Sequence, residues 1–559
     1  MQLLQHFKEL TVRPKNAKRL KGLILQLAVQ GKLTADWRTN NSDIDSAAVL
    51  LDRLKSEKSL HVIKKNEVPY KLNPSWEWAK FIDVAELRHG HQFRKYDFVE
   101  EGIPVIKIGQ CKSDGTLDFS KCNYIDSNRK DEFQDDLIFQ GHLLMALTGG
   151  TLGKVTRVDK DYGILVQNYR VGNFFADERV ISLDFLNVIL ESELFQGLVR
   201  DRINQNAQPN IGKDNIEKIV MPIPPLEEQK EIVKVVETLF KEVEQLEQLT
   251  VERISLKEDF VTSALNQLTT NNANQEWGFL QDQFKSFFNE TTNIKKLRET
   301  VLQLAVQGKL TADWRAINPD TEDASVLLKR IQEEKAQLIK DKKIKKEKAL
   351  PKIAEDEIPY DLPEGWSFTR LGSYTHNFGQ KKPDCNFEYI DVASIDNHLG
   401  VIKSDLNIVT PEEAPSRARK IVEKGCVIYS TVRPYLLNIA CVDREFENEA
   451  IASTAFSILN PILGCSPSYL YYLLRSPYFV EYVETYSKGV AYPAINDKNL
   501  LVAPIPIPPI EEQKAIVQKV NALMGLCDSL EQEVQQSQEY SEQLMQSCLR
   551  EVFETDQSS

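Results

Sequence analysis

Apolar residues recur at heptad spacing in two long stretches of the chain. The first stretch has alternating steps of four and three residues at Ile232, Val236, Leu239, Val243 and Leu246. The second stretch has the same steps at Ile516, Val520, Leu523, Cys527, Leu530 and Val534. Such spacing predicts coiled-coil helices. Neither proline nor glycine interrupts residues 226–267, so the first helix is predicted to extend about 60 Å.

The start of each long helix is marked by a proline-rich segment. Residues 222–230 are PIPPLEEQK, and residues 506–514 are PIPPIEEQK. Proline is tolerated in the first turn of a helix, and the paired glutamates suit the positive end of the helix dipole. Both segments therefore predict helix N-termini.

Between these helical parts, residues 79–220 and 367–503 contain short apolar runs that alternate with turn residues. Examples are IPVIKIG and HLLMALT in the first region, and CVIYST and LLNIACV in the second. This pattern predicts mixed α/β domains dominated by short strands. One helix is predicted in each domain, at residues 185–202 and 467–486.

Three segments occur twice, in the same order. LQLAVQGKLTADWR fills both 25–38 and 302–315, VPYKLNPSW (68–76) matches IPYDLPEGW (358–366), and the PIPP segments form the third pair. The offsets are 277, 290 and 284 residues, which indicates a duplicated unit of about half the chain. Gly31 and Gly308 are predicted to end helices. Similar flanks around dissimilar middles suggest one frame that carries two recognition surfaces.

The predicted fold class is α/β (α+β), with two mixed domains separated by long helices that form an antiparallel coiled coil with pseudo-twofold duplication. The predicted regions are an N-terminal helical region (1–78), a first recognition domain (79–221), a central long helix (222–268), a second helical region with a lysine-rich insertion (269–366), a second recognition domain (367–504) and a C-terminal long helix (505–559).

Composition favours a globular cytoplasmic protein. The 559 residues are 42 % hydrophobic and 27 % charged, without a membrane-length apolar run or a secretory signal pattern. Eight cysteines never form CxxC, and we interpret them as reduced thiols in hydrophobic cores. His89 and His91 form an HxH pair, for which a polar loop is favoured over a metal site.

The net charge of −13 is unevenly distributed. Residues 227–259 contain ten acids and five bases, and residues 511–551 contain eight acids and three bases. The two long helices thus supply most of the negative charge, and the remaining surface is compatible with a nucleic-acid partner. Their acidic faces are either solvated or bind a basic partner; the sequence favours neither alternative.

Side chains that could contact DNA are concentrated in the two middle domains. Asparagine, glutamine and arginine can form paired hydrogen bonds with base edges, and lysine can bind phosphate. The first-domain candidates are His91, Gln92, Arg94, Lys95, Gln110, Thr148, Lys154, Arg157, Gln167, Asn168, Arg170, Asn204, Gln205, Asn206, Gln208 and Asn210. The second-domain candidates are Gln380, Lys381, Lys382, Ser430, Thr431, Arg433, Tyr435, Asn438, Lys488, Tyr492 and Asn496. For each one, a solvated surface side chain is the simpler alternative.

Catalytic motifs are missing from the sequence. TGGTLGKV at 148–155 has threonine first and valine after its lysine, so it is not a Walker motif. Neither GxGxxG nor NPPY occurs, and no ExK follows Pro383–Asp384. We therefore expect a protein that binds and positions rather than catalyses, without a cofactor or metal of its own. The lysine-rich segment 340–352 is a solvated surface or, alternatively, a phosphate contact.

The doubled LQLAVQGKLT and PIPP-x-EEQ segments, with TGGTLGKV and YSTVRPYLLNIA, resemble the specificity subunits of type I restriction-modification enzymes. The resemblance covers nearly the whole chain. It implies two target recognition domains, each reading half of a split double-stranded DNA sequence. It also implies two methyltransferase subunits that carry S-adenosylmethionine and dock on the helical regions. Restriction subunits, which use ATP and Mg²⁺, would join that complex.

The length of the long helices is predicted to set the unread spacer of the target. One heptad is about 10 Å of helix, or about three base pairs of duplex. Removing one heptad from both helices is expected to shift the preferred spacer by about three base pairs in a methylation assay. An unchanged spacer would contradict this prediction.

Two other classes remain open from the sequence. The recognition subunit of another methylation-based phage-defence system would have the same features, because the difference lies in the partner genes. A coiled-coil scaffold with protein-binding domains would share the helices, but it has no reason to bind duplex DNA in a salt-dependent way. A self-contained enzyme is disfavoured by the missing motifs.

Overall fold

A computed structural model describes residues 16–112, 114–203, 209–270, 282–346, 348–489 and 492–554. The chain divides into two compact units. The first comprises Met1–Ile254 with Gln538–Ser559, and the second comprises Ser255–Ser537. Each described unit contains helices followed by a recognition domain, as expected for a duplication. Within the described residues, no helix is long and apolar enough to span a membrane.

The helices of both units flank the strand-rich domains. They are α1 (Ala17–Val29), α2 (Ala35–Asn40), α3 (Ala47–Lys55), α4 (Phe81–Val84), α5 (Leu183–Glu191), α6 (Glu193–Asp201), α7 (Lys213–Glu217), α8 (Leu226–Thr270), α9 (Phe284–Phe287), α10 (Thr291–Val306), α11 (Ala312–Ile317), α12 (Ala324–Lys340), α13 (Leu371–Tyr374), α14 (Pro467–Leu474), α15 (Pro477–Tyr486), α16 (Asp497–Leu501) and α17 (Ile510–Glu554).

The strands are short, as the sequence predicts. In the first unit they are β1 (Glu77–Lys80), β2 (Ala85–His89), β3 (Ile103–Ile106), β4 (Asn123–Ile125), β5 (Leu137–Ile138), β6 (Leu143–Ala146), β7 (Val155–Arg157), β8 (Leu165–Gln167), β9 (Val171–Ala176) and β10 (Val220–Ile223). In the second they are β11 (Ser367–Arg370), β12 (Thr375–His376), β13 (Phe387–Ile390), β14 (Ile395–Asp396), β15 (Val401–Ile402), β16 (Asn407–Val409), β17 (Ala418–Val422), β18 (Val427–Ser430), β19 (Ile439–Cys441), β20 (Glu449–Ser453), β21 (Phe456–Pro461) and β22 (Pro504–Ile507).

The two recognition domains share one sheet topology. The orders β2-β9-β6-β7 and β4-β3-β8-β5 in the first domain correspond to β12-β21-β18-β19 and β16-β13-β20-β17 in the second. The central pairs β3–β8 and β13–β20 are parallel. The two-stranded pairs β1–β10 and β11–β22 are antiparallel, and each joins the first and last strands of its domain. The domains therefore have the same fold despite dissimilar sequences.

Equivalent strands locate the length differences between the halves. The equivalent strands β2 and β12 begin 290 residues apart. From the next equivalent pair, β3 and β13, to the last pair, β10 and β22, most equivalent strands begin 284 residues apart. The six-residue difference therefore falls between Ala85 and Ile103 in the first domain, against Thr375 to Phe387 in the second. The first domain has the longer connection here, and it includes the candidates Gln92, Arg94 and Lys95.

The helical segment in each recognition domain is broken into two helices, which corrects the prediction of one helix at 185–202 and one at 467–486. Ser192 ends α5 and caps α6, because its hydroxyl donates to Ile189 O (2.7 Å) and accepts from Phe195 N–H (3.4 Å). Ser476 does the same between α14 and α15. Serine is a favoured N-cap because its side chain satisfies a free backbone N–H.

The long helices α8 and α17 run as predicted from the PIPP segments. Within unit 1, the first part of α8 accompanies the last part of α17; within unit 2, the last part of α8 accompanies the first part of α17. Most residues of the heptad seams are buried, and Leu239, Leu246 and Leu523 are partly buried. The seams thus contribute to the core of their own unit.

The three repeated segments meet at one buried carboxylate in unit 1. Glu228, at the start of α8, is fully buried. Its carboxylate accepts hydrogen bonds from Thr34 Oγ1 (2.7 Å), Arg38 Nη2 (2.7 Å) and Trp76 Nε1 (2.9 Å). Thr34 and Arg38 belong to the first repeated segment, Trp76 to the second and Glu228 to the third. This network fixes α2, β1 and α8 to one another.

The same network recurs in unit 2 around Glu512, which is also fully buried. Its donors are Thr311 Oγ1 (2.6 Å), the Arg315 guanidinium and Trp366 Nε1 (2.8 Å). Charge-assisted hydrogen bonds of this kind are stronger than neutral ones. The identity of the repeated segments thus has a physical cause, because a buried carboxylate needs all of its partners.

Gly31 ends α1 as predicted and also makes room for this network. Its φ is +69°, and its carbonyl accepts from Arg38 Nη2 (2.7 Å). A Cβ at Gly31 would lie 2.6 Å from Asn73 Nδ2 and 2.9 Å from both Arg38 and Trp76. Gly308 has the same role in unit 2, with φ +70°. Only glycine satisfies both the conformation and the space.

Gln229 and Gln513 connect the long helices to the recognition domains. The buried Gln229 amide accepts from Ser182 N–H at the start of α5 (2.8 Å) and donates to Val180 O (2.8 Å). Gln513 accepts from Ser466 N–H at the start of α14 (3.0 Å). The three residues of each EEQ sequence therefore differ in role. The first glutamate is exposed, the second is the buried carboxylate of the hydrogen-bond network, and the glutamine positions the recognition domain.

The cysteines are free thiols in the described residues, but one correction is needed. Cys385 is exposed and Cys122 and Cys441 are only partly buried, whereas Cys111, Cys426, Cys465 and Cys527 are buried as predicted. Burial raises the pKa of Cys111 and of Cys426 to about 12, which keeps both thiols protonated and unreactive.

Candidate nucleic-acid interface

The β6–β7 and β18–β19 connections, residues 147–154 and 431–438, are equivalent hairpin loops. The matching backbone hydrogen bonds are Gly149 N–H to Pro209 O (2.9 Å) with Arg433 N–H to Pro493 O (2.8 Å), and Ile211 N–H to Leu147 O (3.1 Å) with Ile495 N–H to Thr431 O (3.0 Å). The bridge partners Thr148 and Asn210 likewise match Val432 and Ala494. Two segments with little sequence likeness therefore have one backbone arrangement.

Both loops need left-handed backbone at the same two places. In the first loop these are Gly149 (φ +80°) and Gly153 (φ +83°). In the second they are Arg433 (φ +47°) and Leu437 (φ +50°). A residue with a Cβ costs about 1–2 kcal/mol in this conformation, whereas glycine does not. The second loop thus has two residues with side chains, Arg433 and Leu437, in a backbone conformation that is unfavourable for them.

The second loop presents a mixed aromatic, aliphatic and cationic surface. Tyr435 is 50 % exposed, Leu436 39 % and Tyr492 68 %. The Arg433 guanidinium carbon lies 4.5 Å from the centre of the Tyr492 ring, a cation–π distance. Two of the predicted side chains are thereby brought together, and the combination suits stacking and polar contact with bases.

The first domain has its exposed polar residues on the longer connection after β2. His91, Gln92, Arg94 and Lys95 are exposed there, and the neighbouring Tyr96 is 78 % exposed. The Asp97 carboxylate accepts from the Arg94 backbone N–H (2.8 Å), which fixes the turn while leaving the Arg94 side chain at the surface. This segment supplies the side chains that its glycine-containing hairpin loop lacks.

Lys107, at the end of β3, was missed by the sequence interpretation because it lies within an apolar run. Its Nζ donates to Asn123 Oδ1 (2.6 Å) and lies 4.3 Å from the centre of the Phe98 ring. Burial lowers the pKa of Lys107, and the positive charge of Arg170 lowers it further. Within the described residues, neither cation has a carboxylate at ion-pair distance, so an anion would be stabilised here.

Several predicted side chains are buried and support the loops instead of facing solvent. Gln167 donates to Arg88 O and Val171 O, Gln110 to Lys121 O, Ser430 to Val432 O, and Thr431 to Ala455 O. Asn168 and Asn438 are also buried. Sequence could not separate them from surface residues, because their burial depends on how the two sheets pack.

The remaining candidates are at or near the surface, with different partners. Lys154 donates to Cys111 O (2.8 Å), Arg157 pairs with Asp184 (2.5 Å), and Lys381 pairs with Asp384 and Glu449 (both 2.7 Å). Arg170, Asn210, Gln380, Lys382, Lys488 and Asn496 are exposed, and Thr148 is half-buried. The candidates outside the described residues are Asn204, Gln205, Asn206 and Gln208.

Asp384, Cys385 and Glu449 are the one group of possible metal ligands found in the described residues. The ammonium group of Lys381 already bridges both carboxylates, and these hydrogen bonds raise the pKa of Lys381. The chain's own lysine therefore occupies the space between the carboxylates and balances one of their two negative charges.

Comparison with known families shows to which family this chain belongs. The model of the type I restriction modification DNA specificity domain matches residues 73–253 and 372–539, more than half of the chain. The chain belongs to this family. Each matched segment of the specificity subunit covers a recognition domain and much of the long helix that follows it.

Curated relatives match along nearly the whole specificity subunit. The specificity subunit of the type I restriction enzyme EcoAI from Escherichia coli is 27 % identical over 92 % of this chain and 90 % of its own length. That of EcoEI, also from Escherichia coli, is 25 % identical over 93 % and 91 %. The similarity thus extends over both halves of the chain and over most of each relative.

Solved structures have the same fold. A chain from a structure on complex assembly and conformational transition of the type I restriction-modification system matches with a TM-score of 0.51. The match has 17 % sequence identity and covers 87 % of this chain and all of the other. It confirms the predicted fold class of two mixed domains with long helices.

Proposed function

We propose that this specificity subunit reads a split double-stranded DNA target, with each recognition domain contacting one half. The observation that carries the proposal is the pair of equivalent hairpin loops with unlike side chains. One backbone arrangement on a duplicated frame places two different surfaces in corresponding positions. Such a protein is suited to two DNA segments of different sequence.

The proposed complex contains two methyltransferase subunits on the helical regions and restriction subunits beyond them. S-adenosylmethionine, ATP and Mg²⁺ belong to those partners, and the specificity subunit is non-catalytic. It acts in the cytoplasm of a prokaryotic cell. The acidic surfaces of α8 and α17 support a docking role for these helices. The buried hydrogen-bond networks around Glu228 and Glu512, which fix the start of each helix, support it as well.

Phosphate contacts are proposed to come from the cations of the first domain. Lys107 and Arg170, whose charge lowers the pKa of Lys107, have no carboxylate partner among the described residues. Arg94 and Lys95 are exposed on the connection between β2 and β3. Cations without a carboxylate partner gain most from a phosphate group, because no existing ion pair has to be broken. The ion-paired Lys381 and Arg157 are weaker candidates for the same reason.

Replacing Lys107 with glutamine is expected to weaken duplex binding equally for target and unrelated sequences. It should also reduce the slope of log affinity against log salt by about one. Fluorescence anisotropy of a labelled duplex at several salt concentrations measures both quantities. The control is Lys160→Gln, which removes an exposed lysine that lies over the Tyr162 ring (5.1 Å). An unchanged slope for Lys107→Gln would contradict the phosphate contact.

The alternative of a protein-binding scaffold is tested by the same titration. A scaffold would bind duplex weakly at every salt concentration and without sequence preference. Steep salt dependence together with preference for one split sequence is expected for the proposed function.

A further inference from the structure

Arg433 occupies a position where the fold favours glycine. The equivalent residue in the first domain is Gly149, and both residues have positive φ. The backbone hydrogen bond to the following loop, Arg433 N–H to Pro493 O, is also made by Gly149 N–H to Pro209 O. The loop conformation therefore does not require an arginine, and any residue with a Cβ is strained here.

With the residues that the structure describes, the Arg433 side chain forms neither a hydrogen bond nor an ion pair. Among the described residues, its Nε has no hydrogen-bond acceptor, and no carboxylate lies within ion-pair distance. The Nε is buried, and the guanidinium lies over the ring of Tyr492, which is itself 68 % exposed. Backbone strain that no interaction within the fold offsets is concentrated at functional sites.

We propose that Arg433 is a specificity-determining residue that reads a guanine in the half-site bound by the second recognition domain. A guanidinium can donate two parallel hydrogen bonds to guanine O6 and N7, and this pairing distinguishes guanine from the other bases in the major groove. The Tyr492 ring lies 4.5 Å from the guanidinium carbon and attracts it, so less side-chain freedom is lost on binding. The inference rests on the proposed function.

The first domain lacks the equivalent reader. Gly149 has no side chain, and among the described residues a Cβ built there would meet only Ile108 Cδ1, at 3.5 Å. Space therefore does not exclude a side chain at this position, and its absence leaves base contacts to the connection after β2. The two half-sites are read by different parts of the same fold.

The test compares wild type with Arg433→Lys and Arg433→Gly in the complete complex in host cells, by single-molecule sequencing of adenine methylation. Arg433→Lys keeps the positive charge but cannot form the bidentate hydrogen bonds of a guanidinium group. Both variants are expected to lose discrimination at one guanine of one half-site by roughly tenfold, while the other half-site remains unchanged. Arg433→Gly is also expected to raise the melting temperature of the purified subunit, because it relieves the strained φ.

The matched control is Leu463→Gly, which relieves a positive φ (+56°) in the turn before α14. It is expected to leave the methylated sequence unchanged. If Arg433→Lys and Arg433→Gly methylate the wild-type motif with unchanged selectivity, or if neither half-site contains a guanine, the inference is overturned. If deletion of the gene leaves every methylated motif in place, the proposed function fails instead.

Discussion

Replacing Glu228 with alanine is expected to lower the free energy of unfolding of unit 1 by about 3–5 kcal/mol. The substitution removes the carboxylate that accepts from Thr34, Arg38 and Trp76. Arg38 is left as a largely buried cation, 18 % exposed, without its counter-ion. The indole N–H of Trp76 and the hydroxyl of Thr34 also lose their partner inside the core, which adds their own desolvation cost.

Urea unfolding followed by circular dichroism measures the effect. The control is the neighbouring Glu227→Ala, because Glu227 is exposed and pairs only with Lys230 on the same helix (2.9 Å). Such a surface pair contributes little, so the control is expected to change stability by less than about 0.5 kcal/mol. Equal effects of the two substitutions would show that the buried network does not stabilise the frame.

Replacing Gly31 with alanine is expected to destabilise unit 1 by about 3 kcal/mol, the second-largest effect. Part of this cost is the left-handed φ of +69°, which is unfavourable with a Cβ. The remainder comes from displacement of Arg38 and Trp76, which a Cβ would approach to 2.9 Å. Overpacking a tight site typically costs about 1–3 kcal/mol.

The same substitution nine residues earlier should have the opposite sign. Gly22 lies inside α1, and a Cβ there meets no atom of the described part of the chain within 4 Å. Gly22→Ala is therefore expected to stabilise the unit by about 0.5–1 kcal/mol, because alanine is the better helix former. Thermal unfolding of the two variants tests the pair. A stabilising Gly31→Ala would contradict the assigned role of the glycine.

The frame was predictable from sequence because its determinants are local and repeated. The heptad positions, the PIPP helix starts and the helix-ending Gly31 and Gly308 each follow from short-range rules, and the structure agrees with them. Sequence could not show that Glu228, Arg38 and Trp76 meet, since they are far apart along the chain. The repeats indicated that these residues matter, but only the packing shows the reason.

The recognition surface was less predictable. Gln167 and Ser430 have the right chemistry for base contacts, but the packing of the sheets buries them. Lys107 was hidden in an apolar run, and only its lack of a carboxylate partner in the described structure makes it a candidate. The equivalence of Gly149 and Arg433 was invisible in the sequences of the two domains, because backbone hydrogen bonds and not side chains define it.

The most direct test of the split-target account is single-molecule sequencing of adenine methylation in host DNA with and without this gene. The account predicts that one two-part motif is methylated in wild-type cells, disappears on deletion and returns when the gene is restored. A wild-type two-part motif that persists at full occupancy after deletion would contradict the account.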